Sequence, residues 1–469
     1  MRCPRCRNDD PHALMFCTQC GASLQQEHVA KRGGGDILIM VIAIAVAAVV
    51  IVSGAAYFLF VKEKPTAVSL ISNGKNVGSV PVSGLGFVDL NKMERIEATL
   101  SNGSLNLGGW YYDPEFKDPF FKYRRVTSSI SLYADWNELS FTMTQVPTSP
   151  VSNSETCTFK NNTPGATDTA WTIKDAFKTN NHTVVENVSG SPTYTNVLKK
   201  GMYEVTMTAT VNGEEKRLTK LETVKGTVTI PAVTWQDYYG NARTLPAFSF
   251  DVQDYIKLAR DNRARDFRIA NIAGFVSGTD ALIQSIANGL VGPSGLMPGG
   301  TMQERADLIA SFVNDGLSID ATPASKSDST YYMIPGFHTS AVSVEYYKYP
   351  VESLYDKIQY GGMGDCEDHA ILTAAIARAA GFDVAIIVIT NPSEQEGHAI
   401  AGIKNDLSFV PPFEPPDSPQ GAYSFKEVNG YYSCETFRPS SATAKRWLGL
   451  VETKYTEPGW VLRSFPVRG

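Results

Sequence analysis

The stretch Gly361-Gly362-Met363-Gly364-Asp365-Cys366-Glu367-Asp368-His369-Ala370 runs straight into an apolar segment, Ile371 to Ala380, and stops at Gly381. A glycine-rich turn thus leads into a helix that begins at a cysteine, and Gly381 suits the left-handed position after a helix end. Cys366 is therefore expected on a helix N-terminus. Free amide N–H groups and the positive end of the helix dipole favour a thiolate there, and the thiolate is the nucleophile. The plainer alternative is a small buried hydrophobe beside an alanine-rich helix, which is the commoner role of a single cysteine.

Downstream, Val384 to Thr390 is a β-branched run that reads as a buried strand, and Gly397-His398-Ala399-Ile400-Ala401-Gly402-Ile403 reads as its partner. His398 opens that second strand. A third is expected over Tyr431-Tyr432-Ser433-Cys434-Glu435-Thr436-Phe437, with Glu435 as its one acid. A helix-borne thiol, a strand-borne imidazole and a carboxylate one strand further on are the parts of a Cys-His-acid triad. The imidazole would take the thiol proton and deliver it to the leaving group, while the carboxylate fixes its tautomer. A histidine opening a strand is more often a half-exposed surface residue, so the order and spacing of the three carry the argument. His369, three residues after Cys366 on the same helix face, is a rival base.

These segments, with Tyr349-Pro350-Val351-Glu352-Ser353-Leu354 upstream, resemble the transglutaminase-like superfamily, above all its prokaryotic, largely archaeal branch. The resemblance covers residues 301 to 451, about a third of the chain. It implies a papain-like α+β core and acyl-transfer chemistry, either peptide or amide hydrolysis or transamidation. Matched residue by residue, it makes Cys366 the nucleophile, His398 the base and Glu435 the acid. The backbone N–H of Cys366 would be one oxyanion donor, and Tyr360 is the candidate for the second. The chain departs from the family where Ala399 and Ile400 follow the histidine in place of a nearby tryptophan, where Glu435 replaces the more widespread Asp, and where Cys434 precedes it. These departures leave the acceptor open. Hydrolysis is favoured, because water needs no second binding site. No metal is expected at this centre, for no acidic loop of calcium-binding spacing stands out.

Working outward toward the N-terminus, the helical pattern begins near Ser249. Asp251 to Asp266 and Ile269 to Leu290 read as helices, and Thr301-Met302-Gln303-Glu304 is a capping box opening a further helix that ends at Gly316. The C-terminal domain is accordingly drawn as residues 249–469. Before it, residues 149–232 show repeated short strands. The clearest is Tyr203 to Val211, closed by the hairpin signal Asn212-Gly213. Trp171 to Asp175, Ser191-Pro192-Thr193-Tyr194, Lys200-Gly201-Met202-Tyr203 and the closing Val224 to Ile230 resemble a PKD-type immunoglobulin-like sandwich, which implies a spacer or adhesion module. Residues 65–147 also alternate as antiparallel strands, around Asp135-Trp136-Asn137.

Ile37 to Val61 is a run of 25 uncharged, mostly apolar residues, enough to cross a bilayer. Residues 25–36, with Gly33-Gly34-Gly35, link it to Cys3-Pro4-Arg5-Cys6 and Cys17-Thr18-Gln19-Cys20-Gly21 in residues 1–24. Two CxxC knuckles form a closed four-thiolate site, so Cys3, Cys6, Cys17 and Cys20 are expected to hold a structural Zn2+ in a short ribbon resembling those that open many prokaryotic membrane proteins. Two disulfides are the alternative. Residues 1–35 carry Arg2, Arg5, Arg7, Lys31 and Arg32 against Asp9, Asp10 and Glu27, while the rest of the chain is acidic, within a net charge of −6. The basic flank and the thiolates place the ribbon in the cytoplasm and the remaining domains outside. No basic stripe marks a nucleic-acid partner.

The chain thus reads as multidomain: zinc ribbon, one transmembrane helix, β-rich and PKD/immunoglobulin-like modules, and an α+β papain-like domain. Its expected partners are the membrane, a protein or peptide substrate outside the cell, and a cytoplasmic protein bound by the ribbon. The leading function is a membrane-anchored cysteine acyl-transfer enzyme. The alternative is a non-catalytic surface binding or adhesion protein on the same scaffold. Cys157 and Cys434 are expected as free thiols, since nothing in the sequence brings them together.

Overall fold

Alternating burial in Ala67–Ser72, where Val68, Leu70 and Ser72 turn inward, starts a five-stranded sheet at the beginning of the described residues. The structure is a computed structural model. It describes residues 67–467 apart from 84–86, 121, 123–125, 127, 150–151, 178–182, 265–268, 278–279, 320–346, 363, 392–395, 405–422, 426, 435–449, 453–454 and 456–459. Cys3, Cys6, Cys17 and Cys20, expected to hold zinc, the apolar run 37–61 expected to span a membrane, and Glu435 lie outside the described residues. Among the described residues no helix is long and apolar enough to cross a membrane.

In the first sheet Ala67–Ser72 pairs antiparallel with Lys75–Pro81 and parallel with Ser131–Asn137, which pairs in turn with Asn106–Tyr111. The helix Leu90–Glu97 packs on it, an element the strand-like reading of residues 65–147 missed. Asp89 caps it by accepting the Lys92 N–H at 3.0 Å, a contact typically worth about 1 kcal/mol. Leu90 and Met93, three apart, are its buried residues.

Residues 139–224 form a sandwich of a three-stranded and a four-stranded sheet. Leu139, Phe141, Cys157, Phe159 and Leu198 meet Trp171, Val205, Met207 and Leu218 in one core. Phe141 packs edge-on against Trp171 with ring centroids 5.4 Å apart. Phe141–Pro147, expected in the module before, pairs with Ser154–Asn161 and so belongs to the sandwich. At the other end Thr227–Ile230 leaves it to pair with Phe248–Asp251. The Asn212-Gly213 hairpin forms as expected, both residues having positive φ and Val211 pairing with Glu214.

The helical region follows in the expected place. Val252–Ala264 is one helix, but the second expected helix divides into a 3-10 turn, Ile269–Phe275, and a helix, Ala281–Val291. Thr301 and Glu304 complete the capping box of Met302–Ser311, which runs on as a π-helical turn to Leu317 and stops at the left-handed Ser318. Then come Pro350–Tyr360 and Cys366–Ala379, and a sheet ordered Glu427–Val428, Tyr431–Cys434, Glu396–Lys404, Val384–Asn391, Val461–Pro466, antiparallel throughout.

The modules are not independent beads. A single apolar core runs from Val68 and Leu132 through Tyr255, Leu308 and Leu354 to Ile386 and Cys434. Tyr255 stacks on Tyr355 with centroids 3.6 Å apart, and the Tyr355 hydroxyl donates to the Lys200 carbonyl of the sandwich at 2.8 Å. The helix Pro350–Tyr360 is thereby docked on the sandwich at Tyr355, six residues before the turn that opens at Gly361 and leads to the cysteine.

Candidate active site

The cysteine helix begins where the sequence places it, at Cys366. Gly361 and Gly362 have φ of 85° and 109°, the left-handed region in which only glycine is at ease. Gly364 donates its N–H to the Ile319 carbonyl at 3.0 Å, and a Cβ there would meet Ile319 Cδ1 at 3.2 Å and Asp368 Cβ at 3.3 Å. Close packing thus fixes the height at which the helix starts. Asp365 occupies the cap position without a side-chain capping bond. Glu367 to Ala377 are buried along the helix, while Cys366 at its tip is half-buried.

The first turn is held by a buried charge cluster. Lys348, Asp356 and Asp368 have side-chain exposures of 0%, 1% and 0%. Lys348 donates its backbone N–H to Asp368 Oδ1 at 3.1 Å and its ammonium to Oδ2 at 2.8 Å, with Asp356 Oδ2 at 3.7 Å. Burial, opposed by Lys348 and assisted by Asp365, pushes the Asp368 carboxyl up to about 7. Sequence reasoning missed this cluster. Its only signal is the density of acids around Cys366, because Lys348 lies 20 residues away.

Cys366 Sγ lies 3.3 Å from Glu367 Oε2, and among the described residues this is the thiol's hydrogen bond. Donor atoms of Asp365, Cys366 and Glu367 lie within 4.8 Å of one another, close enough for all three to reach one ion.

Residues 380–383 turn the chain back along the helix. A helix of this length spans about 21 Å, and the returning strand Val384–Asn391 about 26 Å, so the strand is long enough to run back the length of the helix. His398 pairs with Ile389 near the strand's end. The two faces of the sheet differ, however. Ile386, Val388, Ala399, Ala401 and Cys434 pack in the core that contains the cysteine helix, whereas Ile387, Ile389 and Ile400 pack in a smaller core with Tyr455. Directly paired residues share a face. His398 therefore lies on the Tyr455 side, its ring stacked on that tyrosine at 4.8 Å and 15°, with 7% exposure. The sheet thus sets the His398 ring on the face away from the cysteine helix, against Tyr455.

The rival base His369 is fully buried, which keeps it from substrate in this conformation. Tyr360, the candidate second oxyanion donor, instead donates its hydroxyl to Asp175 Oδ2 in the sandwich. Burial, with Asp175 adding to it, raises the phenol well above its ordinary value, so it stays a donor. Of the third strand, expected over Tyr431 to Phe437, the described part is Tyr431–Cys434, with Ala401 facing Cys434 and Lys404 facing Tyr431; Glu435 lies outside the described residues. Cys157 and Cys434 are buried, and neither is in a disulfide among the described residues.

The chain matches no family model, and no curated protein matches it.

Proposed function

We propose that this protein is a cysteine acyl-transfer enzyme, most simply a peptide or amide hydrolase, in which Cys366 is the nucleophile, His398 the base and Glu435 the acid. The observation that carries the reading is the placement of Cys366: a half-buried thiol at the tip of an otherwise enclosed helix. A glycine-lined turn leaves its backbone N–H at a helix N-terminus, where an oxyanion is stabilised. With the apolar run 37–61 and the four thiolates of the ribbon, the enzyme is anchored in the cell membrane on a zinc-stapled cytoplasmic foot. It acts outside, on a protein or peptide.

His398 must then swing past the strand edge, or the strand must shift, for imidazole to meet thiol. The rate of iodoacetamide alkylation at Cys366, followed by peptide mass spectrometry from pH 5 to 9, tests this without knowledge of the substrate. The wild type should react faster than a free thiol below pH 7, and His398→Ala should abolish the excess. A wild-type rate equal to that of a free thiol ends the enzymatic reading.

One observation favours a second reading, a non-catalytic surface protein that binds peptide or envelope polymer. The thiol spends its proton on Glu367 while His398 stacks on Tyr455 across the sheet. This reading expects ordinary thiol kinetics, so the same measurement separates the two.

A further inference from the structure

A cavity of about 450 Å3 lies between the first β unit and the sandwich, within the size range that small ligands fill. One wall is the outer face of the four-stranded sheet. Along Gly201–Val211, Tyr203, Val205, Met207, Ala209 and Val211 feed the sandwich core, so Glu204 points the other way, beside Leu221 of the paired strand. The other wall holds Trp110 and Phe120, with Glu94 and Glu97 at the helix Leu90–Glu97 and Lys122 beside them.

The charges of this cavity do not balance. Glu97 accepts the Trp110 indole N–H at 2.7 Å and the Lys122 ammonium at 2.5 Å, and Glu94 is held by the Arg260 guanidinium at 2.9 and 3.0 Å. Lys220, whose residue also borders the space, turns its ammonium over the Phe141 ring, 4.9 Å from the centroid. Glu204 is only 6% exposed and has no ion pair among the described residues. Burial pushes its carboxyl up, opposed by Lys174, which faces it on the neighbouring strand, then by Arg217, and by the backbone N–H and the charge of Lys122, and burial prevails. A carboxylate so enclosed, with apolar and aromatic neighbours, is costly without a counter-charge. An anion would be repelled, and a neutral ligand would leave it uncompensated.

We propose that this cavity binds a small organic cation, an alkylammonium or guanidinium group such as the end of a lysine or arginine side chain, with Glu204 as counter-ion and Trp110 and Phe120 as apolar walls. Aromatic faces add to the attraction for such a cation. The site owes nothing to the chemistry of Cys366, and either can fail without the other.

Calorimetric titration of the full-length chain with pentylamine and agmatine, against 1-pentanol as a neutral probe of similar size, is the test. Both cations should bind, and 1-pentanol at least tenfold more weakly than pentylamine. Glu204→Gln should weaken the cations at least tenfold and leave 1-pentanol unaffected. Leu221→Trp, which fills the space, should abolish binding while circular dichroism shows the fold retained. Failure of the wild type to bind either cation, equal affinity for 1-pentanol and pentylamine, wild-type affinity in Glu204→Gln, or wild-type affinity in a folded Leu221→Trp would each overturn the proposal.

Discussion

Lys348 Nζ lies 2.8 Å from Asp368 Oδ2 with both side chains sealed from solvent, so the first turn of the cysteine helix is fastened to the segment before Pro350–Tyr360 by a buried ion pair. Asp356 makes the cluster acidic overall, with two carboxylates around one ammonium.

Removing the cation should be expensive. Lys348→Met leaves two buried carboxylates without their counter-charge, and breaking a buried pair in this way costs about 3–5 kcal/mol. Urea denaturation should show the midpoint falling accordingly. A loss under 1 kcal/mol would mean that water reaches the cluster.

The pH dependence has a definite sign. Asp368 has its folded carboxyl raised to about 7, well above its unfolded value. The native state therefore holds a proton that the unfolded state releases near pH 4. This group's contribution to stability is fullest at and below the unfolded value and is lost as pH rises through about 7. Asp368→Asn should flatten that decline, measured as the difference between wild-type and variant stabilities from pH 4.5 to 8.5. A steeper decline in the variant would contradict the assignment.

Thiol reactivity should follow exposure. Cys157 and Cys434 are buried, and burial with the nearby Glu155 pushes the Cys157 thiol up to about 11. In native protein at neutral pH, alkylation should mark Cys366 well before either of them, with all three modified after unfolding. Prompt labelling of Cys157 in the native state would show that the sandwich opens.

Tyr360→Phe separates a structural hydroxyl from a catalytic one. Loss of the donor to Asp175 should destabilise the chain by about 1–3 kcal/mol and change the alkylation rate at Cys366 less than twofold. Loss of an oxyanion donor would instead cut turnover of an amide substrate about a hundredfold or more. Thermal melts and amide turnover of the single variant decide between these.

What the sequence disclosed was what local chemistry determines. The Thr301 capping box, the Asn212-Gly213 hairpin, the start of the helix at Cys366 and the strand pairing of residues 384–391 with 396–404 depend on neighbours a few residues apart. Hidden from it was whatever depends on which side of a sheet meets which helix. His398 opens a strand buried on both faces, so alternation gives no clue to its side. That choice is made by the pairing of Ile389 with His398 and by the packing of Val388 and Ala399 toward the cysteine helix. The strand Phe141–Pro147 was assigned to the wrong module because its alternation looks the same on either side of a boundary. The helix Leu90–Glu97 could have been found, since Asp89 followed by Leu90 and Met93 is a cap with an i, i+3 apolar pair.

The Tyr255–Tyr355 stack and the Lys200 carbonyl that holds Tyr355 have a practical corollary for anyone dissecting the chain. Cutting ahead of residue 249 to obtain the C-terminal part alone would keep both tyrosines but strip Phe177 from the edge of the Tyr255 ring and leave the Tyr355 hydroxyl without its acceptor. The β modules act as a splint for the segment leading to the cysteine, and a fragment lacking them would report on a different molecule.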